Sequence, residues 1–192
     1  MDRIILASQS PRRKQLLEWA RLKFDVLVSD ANEDFPQEIP FHEVPVFIAR
    51  NKAMAVQLKV GKDSIIIAAD TIVVLNDRII GKPVDREDAV HILKSLSGSR
   101  HEVITGVIIR KGDQEISFED RTFVWFHPLS DNQIAFYVDE YKPFDKAGAY
   151  AIQEWIGVIG IKKIEGDFYN VMGMPVSRLM KELTPWLNSP SQ

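Results

Sequence analysis

The sequence predicts an α/β fold, because segments with strand periodicity alternate with segments of helical spacing from the first residues onward. Ser64 is followed by an uninterrupted apolar run at residues 65–69, and such a run is typical of a strand buried on both faces of a sheet. The chain has 192 residues and 45% hydrophobic content, enough to bury a substantial core. We therefore expect a single α/β domain that spans residues 1–192.

The first elements follow in a simple order. Residues 3–7 are apolar after Arg3, include two β-branched isoleucines and predict a strand. Residues 11–22 predict a helix that begins at Ser10-Pro11. A second strand is expected at residues 24–28, followed by an acidic loop at residues 29–36.

A second helix is expected at residues 43–60. The apolar positions that its spacing would turn inward are Val44, Phe47, Ile48, Ala55 and Leu58. The apolar strand at residues 64–69 then ends on Asp70-Thr71, and a second apolar run covers residues 72–75.

Turns and caps divide the middle of the chain. Asn76-Asp77 indicates a turn, and Asp85 is suited to cap a helix that stops near Gly98. Two long strands are expected at residues 101–110 and 115–126. Ser130 with Gln133 predicts a capping box, and residues 175–187 predict the last helix.

The composition excludes several classes of protein. With 24 Lys and Arg against 27 Asp and Glu, the net charge is -3, so no global basic field would attract nucleic acid. The chain has no cysteine, which excludes disulfides, thiolate metal sites and cysteine nucleophiles. No apolar run approaches the length of a membrane span, and the first residues do not resemble a signal peptide. We expect a soluble cytoplasmic protein without nucleic-acid or membrane partners.

The segment Ser8-Gln9-Ser10-Pro11-Arg12-Arg13 joins the first strand to the first helix. A helix start has unpaired N–H groups and a positive dipole end, and here it also carries hydroxyls and guanidinium groups. Phosphate would bind all of these groups. The alternative is a solvated basic helix start whose arginines pair with surface carboxylates, and this segment alone leaves both interpretations open.

Two carboxylates are candidates for a metal or a catalytic role. Asp70 follows a buried strand, where α/β proteins often place such a group, although a lone Asp there is commonly a turn residue. Glu33 lies in the loop after the second strand, and two carboxylates with phosphate oxygens can hold Mg²⁺. The same loop contains Asp30 and Asp34, so the pattern alone does not select Glu33.

Three lysines are expected to point inward and to offer charges to phosphate: Lys52, Lys82 and Lys146. Taken singly, each could equally be a solvated surface lysine. The Gly81-Lys82 pair is not part of a P-loop, and neither GxxxxGK[ST] nor GxGxxG occurs. The four histidines are dispersed without metal-ligand spacing.

Seven short segments together resemble the Maf family of nucleoside triphosphate pyrophosphatases. They are LASQSPRR at 6–13, Glu33, ARNKA at 49–53, AADT at 68–71, GKP at 81–83, DKAGAYAIQ at 145–153 and IEGDFYNVMGMP at 164–175. They cover nearly the whole chain in the family's order. The resemblance implies an elongated mixed-sheet fold of the Maf and inosine-triphosphatase type, with a deep cleft between two lobes, and a homodimer.

The resemblance also implies hydrolysis of a nucleoside triphosphate to the monophosphate and pyrophosphate with a divalent cation, Mg²⁺ or Mn²⁺. DKAGAYAIQ resembles the branch that acts on dTTP and UTP. By position in the motifs, Asp70 matches the family's proposed proton acceptor, and Glu33 and Asp70 are the candidate metal ligands. Asp70 could either take the proton of the attacking water or hold the metal, and the sequence does not separate these two roles. The implied substrate-binding residues are Ser8, Arg12, Arg13, Lys52, Thr71, Lys82, Lys146 and Gln153, and among them Arg12, Thr71 and Gln153 match positions used for substrate choice.

Two short stretches depart from the family pattern. An acidic residue usually precedes Pro143, where this chain has Lys142, and many members have glycine at the position of Glu154-Trp155. Two other functions stay open: a nucleotide-binding regulator of septum formation without catalysis, and the sister activity on 7-methyl-GTP.

Overall fold

The computed structural model describes residues 2–187 and contains a seven-stranded sheet. The strands are β1 (Ile4–Leu6), β2 (Asp25–Val26), β3 (Ile65–Leu75), β4 (Arg78–Ile80), β5 (Arg100–Lys111), β6 (Gln114–Phe126) and β7 (Ile161–Glu165). The order is β2-β1-β3-β5-β6-β7, with β4 paired to β3. β1 runs parallel to β2 and β3, whereas β3 with β4 and β6 with β7 are antiparallel, so the sheet is mixed.

Seven α-helices accompany the sheet in the described part of the chain. They are α1 (Pro11–Trp19), α2 (Val44–Val60), α3 (Arg86–Leu96), α4 (Asp131–Tyr141), α5 (Trp155–Gly160), α6 (Phe168–Met172) and α7 (Val176–Leu187). A short 3₁₀ turn covers Ala147–Ala149. These elements confirm the predicted α/β class. Within residues 2–187, no helix combines the length and apolar content needed to cross a bilayer.

The chain divides into two compact units. The first unit comprises residues 2–70, 105–120 and 173–187, and the second comprises residues 71–104 and 121–172. β3, β5 and β6 each contribute residues to both units, because the boundaries fall within these strands.

The core of the first unit forms where α2 packs on the sheet. Ala49, Ala53 and Val56 are fully buried in one cluster with Ile5 and Ile66. The two alanines have small side chains, so the helix backbone can approach the strands closely. α2 therefore has a fixed position on β1 and β3. The other side chains of the helix are then also held in place relative to the sheet.

The second unit contains two helices whose starts were predicted from their caps. The Asp85 side chain accepts from the Asp88 N–H at 2.8 Å and opens α3. Ser130 and Gln133 form the reciprocal bonds of a capping box at the start of α4. The apolar faces of both helices are buried, at Ala89 and Leu93 in α3 and at Ile134 and Tyr137 in α4.

Three details of the sequence interpretation are wrong. Asp70 does not end a strand, because β3 continues through Asp70 and Thr71 to Leu75. Leu58 is 90% exposed, although helical spacing had placed it in the core. The second strand is only Asp25–Val26, and both of its residues are exposed.

Candidate active site

The start of α1 has the predicted local structure. Ser10 is the N-cap and accepts from the Arg13 N–H at 3.5 Å, and Pro11 occupies the first helical position. Ser8 is buried, and its hydroxyl oxygen accepts from the Ser10 N–H at 3.2 Å. The segment between β1 and α1 is therefore held by its own serine hydroxyls.

Arg13 is a buried cation that joins two of the motifs. Its Nε donates to the Gly173 carbonyl at 2.9 Å, and its Nη1 donates to the Ser8 hydroxyl at 3.3 Å. Burial lowers the pKa of Arg13, as does the charge of neighbouring Arg12, whereas the charges of Asp70 and Glu33 raise it. The charges of Arg12, Asp70 and Glu33 in the first unit therefore all act on Arg13.

Lys52 connects the two predicted metal-binding carboxylates. Its Nζ lies 2.7 Å from Glu33 Oε1 and 2.6 Å from Asp70 Oδ1. The Lys52 and Asp70 side chains are only 12% and 13% exposed, whereas Glu33 is half exposed. α2 supplies Lys52 from the turn between its buried alanines, and β3 supplies Asp70 from its interior. These contacts bring together three predicted residues that lie far apart in sequence.

The acidic loop after β2 now shows which of its carboxylates belongs to this group. Asp30 pairs with Lys59 at 2.6 Å, and Asp34 accepts from the Asn32 side chain at 2.5 Å. Among the contacts described for residues 2–187, Glu33 is the one of these three acids that pairs with Lys52. The structure therefore separates three residues that the sequence pattern left equivalent.

The carboxylate oxygens of Glu33 and Asp70 are suitable ligands for a divalent cation. Glu33 and Asp70 already direct one oxygen each at a single positive group, the Lys52 ammonium. No cluster of three or more His, Asp or Glu side chains with metal-site geometry occurs in the described residues. Two carboxylates completed by substrate oxygens and water are a donor set that Mg²⁺ accepts. Glu33 and Asp70 therefore fit a metal that arrives with a phosphorylated ligand.

Lys146 is the predicted lysine that points inward in the second unit. It is 7% exposed, and its Nζ lies 2.7 Å from Asp145 Oδ1 and 3.6 Å from Glu154 Oε1. Lys82 differs from the prediction, because its side chain is exposed. A Cβ at the preceding Gly81 would also meet nothing within 4 Å.

The GKP and DKAGAYAIQ segments lie against each other in the second unit. The Gly148 N–H donates to the Gly81 carbonyl at 3.1 Å. Gly148 has a φ of +71°, and a Cβ there would lie 2.9 Å from Val73 Cγ2. Only glycine combines this conformation with this close approach. Gln153 of the same segment is exposed, and Thr71 is half-buried beside Asp70 in β3.

Sequence reasoning missed two residues of this region, Tyr137 and Glu154. The Tyr137 ring is fully buried in α4, and its hydroxyl donates to Glu154 Oε2 and accepts from the Ala151 N–H at 3.1 Å. The helical pattern at residues 131–141 indicated a buried aromatic but gave no partner for its hydroxyl. The sequence sign of a special role in this region was Glu154, because many members of the family that the chain resembles have glycine there.

The chain is similar to known proteins over nearly its whole length. The family model for Maf, described as Maf-like protein, matches residues 3–186. A dTTP/UTP pyrophosphatase of Cytophaga hutchinsonii is 52% identical over 185 residues, which are 96% of this chain and 84% of the relative. A protein of the same name from Parabacteroides distasonis is 48% identical over 94% of both chains. Another, from Porphyromonas gingivalis, is 45% identical over 94% of this chain and 92% of the relative.

Solved structures were also found at low similarity. Protein VC0702 from Vibrio cholerae aligns over 98% of this chain and 96% of that chain, with 12% identity and a TM-score of 0.49.

Proposed function

The chain belongs to the Maf family, and from this premise we propose that it hydrolyses dTTP and UTP to the nucleoside monophosphate and pyrophosphate. The observation that carries the proposal is the agreement of the relatives. Three proteins that share 45% to 52% of their residues with this chain, over 94% or more of its length, are named for this activity.

The charged groups of the first unit suit this chemistry. Hydrolysis between the α- and β-phosphates requires water to attack the α-phosphorus while pyrophosphate leaves, so negative charge must be stabilised on phosphoryl oxygens. Arg12, Arg13 and Lys52 supply positive groups for these oxygens. Arg13 is already fixed by Gly173 and Ser8, so little reorganisation is needed when the charge develops.

Asp70 is the proposed proton acceptor. A carboxylate near the α-phosphorus can orient the attacking water and take its proton. The position of Asp70 is fixed by β3 and by the bond from Lys52, and its side chain is largely shielded from solvent. These constraints favour a single orientation of the carboxylate.

A divalent cation, Mg²⁺ or Mn²⁺, is part of the proposal, with Glu33 and Asp70 as its protein ligands. When bound, such an ion polarises phosphoryl oxygens and lowers the pKa of coordinated water. The Lys52 side chain is flexible, so its ammonium could bind a phosphate oxygen beside these two carboxylates.

The second unit carries the other proposed substrate-binding residues. Lys82 and Lys146 offer charges for phosphate oxygens, and Thr71 and Gln153 contribute to substrate choice. The amide of Gln153 has both a donor and an acceptor, which matches the edge of uracil or thymine. We expect Gln153→Ala to reduce the preference for UTP over CTP, measured as the ratio of kcat/KM values. An unchanged ratio would remove Gln153 from base recognition.

The proposed function is tested by pyrophosphate release from dTTP, UTP, CTP, dATP, GTP and 7-methyl-GTP with Mg²⁺ or Mn²⁺. We expect the fastest release from dTTP and UTP and none without metal. Faster release from 7-methyl-GTP would assign the chain to the sister activity. Tight nucleotide binding without turnover would indicate a regulator, such as one that acts in septum formation.

We also propose that the protein works in the cytoplasm as a homodimer, without nucleic-acid or membrane partners. The net charge of -3 supports the lack of nucleic-acid binding, because phosphate backbones attract basic surfaces. Light scattering coupled to gel filtration tests the dimer, which would have twice the mass of the 21.9 kDa chain.

A further inference from the structure

Gln153 occupies the corner of a tight turn. The Glu154 N–H donates to the Ala151 carbonyl at 3.1 Å, so residues 151–154 form a β-turn with Gln153 at its third position. Ile152 is buried, whereas Gln153 is exposed. The turn therefore projects one polar side chain from an otherwise buried stretch.

One tyrosine hydroxyl holds both ends of this turn. Tyr137 accepts from the N–H of Ala151, the first residue of the turn, and donates to the side chain of Glu154, the last. A hydroxyl can donate one bond and accept others, so both interactions form at once. The Tyr137 ring is fully buried and stacks on Tyr141 at 5.0 Å, so its hydroxyl has a fixed position.

The other side of the turn is also fixed. A Cβ at Gly157 would lie 1.7 Å from the Ile152 carbonyl oxygen, so the turn packs directly on the backbone of α5. Glu154 Oε1 faces the buried Lys146 ammonium at 3.6 Å. Glu154 therefore joins the hydroxyl that holds the turn to a lysine proposed to bind phosphate.

We propose that Tyr137 and Glu154 are positioning residues for base discrimination: they fix the turn that presents Gln153, without contacting the nucleotide themselves. This inference rests on the proposed function, because it assigns a role within that same site. Discrimination between similar bases needs a rigid presentation of the reading group, since a mobile amide can also satisfy the wrong base. The buried hydroxyl supplies this rigidity.

The test compares kcat/KM for UTP and CTP in four variants. Tyr137→Phe and Glu154→Ala each remove one partner of the bond that holds the turn. Glu154→Gln keeps an acceptor for the Tyr137 hydroxyl. Tyr141→Phe is the matched control, because it removes a hydroxyl from the stacked neighbouring ring and leaves the turn's bonds in place.

We expect Tyr137→Phe and Glu154→Ala to lower the UTP to CTP ratio about tenfold, roughly the effect of losing one hydrogen bond to a buried group. Glu154→Gln and Tyr141→Phe should keep the ratio within about threefold of the unsubstituted protein. A lower fraction of folded enzyme reduces both kcat/KM values equally, so it cancels in the ratio. The measurement thus separates a positioning role from lost stability.

Several outcomes would overturn the inference. The Tyr137 hydroxyl would not set base preference if the UTP to CTP ratio were the same in all variants and in the unsubstituted protein. A loss in Tyr141→Phe as large as the loss in Tyr137→Phe would have the same meaning. If Tyr137→Phe does not fold, the contrast between Glu154→Ala and Glu154→Gln decides the question alone. An unsubstituted enzyme that hydrolyses UTP and CTP equally would refute this inference and leave hydrolysis standing, whereas no pyrophosphate release at all would refute the proposed function itself.

Discussion

Replacement of Lys52 by methionine tests whether the buried ion pair stabilises the first unit. Methionine keeps most of the length and apolar surface of lysine and removes its charge. Glu33 and Asp70 would then lose the cation that lies 2.7 Å and 2.6 Å from their oxygens. The change should destabilise the protein, because Asp70 stays shielded from solvent without its partner.

The magnitude follows from the exposure of each partner. Removal of one member of a fully buried pair costs about 3 to 5 kcal/mol. Lys52 and Asp70 retain 12% and 13% exposure, and Arg13 still acts on Asp70, so the loss should be smaller. The half-exposed Glu33 pair adds little. We expect the free energy of unfolding to fall by about 2 to 3 kcal/mol.

Lys59 provides a matched control on the same helix. It pairs with Asp30 at the same distance of 2.6 Å, but the two side chains are 43% and 82% exposed. Lys59→Met should cost less than about 1 kcal/mol, because exposed pairs contribute little. Urea denaturation measures both values, and pyrophosphate release should fall strongly in Lys52→Met alone. Equal destabilisation of the two variants would refute the reasoning from burial.

Two further predictions concern buried parts of the molecule. Burial lowers the pKa of His101 to about 3 from its ordinary 6.5, so the unfolded chain takes up a proton that the folded one does not. Stability should therefore fall as the pH drops from 6.5 toward 3, by up to about 1.4 kcal/mol per pH unit from this group, and urea denaturation of His101→Gln should show a shallower dependence. A Cβ at Gly106 would lie 2.2 Å from the backbone nitrogen of Val46, so Gly106→Ala should cost about 3 kcal/mol or more. Gly81→Ala, with open space around the new methyl group, should cost less than about 1 kcal/mol in the same measurement, and equal costs would contradict the packing argument.

Local chemistry explains what the sequence predicted well. Ser10-Pro11, Asp85 and the Ser130 with Gln133 pair each start a helix as expected, because a cap depends on residues within one turn. The Asn76-Asp77 turn also forms between β3 and β4, with both residues at positive φ.

Features that depend on distant residues were harder to predict. α2 is apolar around most of its surface, so its spacing did not show that Ala49 and Ala53 face inward while Leu58 faces solvent. β3 continues past Asp70 because its later residues pair with β4. The sequence did not show this pairing, so the polar residues Asp70 and Thr71 were interpreted as the end of the strand.

The candidate site shows the same division. The motifs and the family resemblance named Glu33, Lys52 and Asp70, but their contacts arise from a loop, a helix and a strand that only the fold brings together. Tyr137 was missed because a buried tyrosine in an amphipathic helix looks like core, and its hydroxyl partners lie 14 and 17 residues away.

The most direct test of the account is product analysis of UTP hydrolysis by the unsubstituted protein and by Asp70→Asn. Asparagine keeps an acceptor oxygen for Lys52 and loses the negative charge, so the fold should persist while proton acceptance fails. We expect UMP and pyrophosphate from the unsubstituted protein and a loss of at least about a hundredfold in kcat for Asp70→Asn. UDP and phosphate as products, or full activity in folded Asp70→Asn, would contradict it.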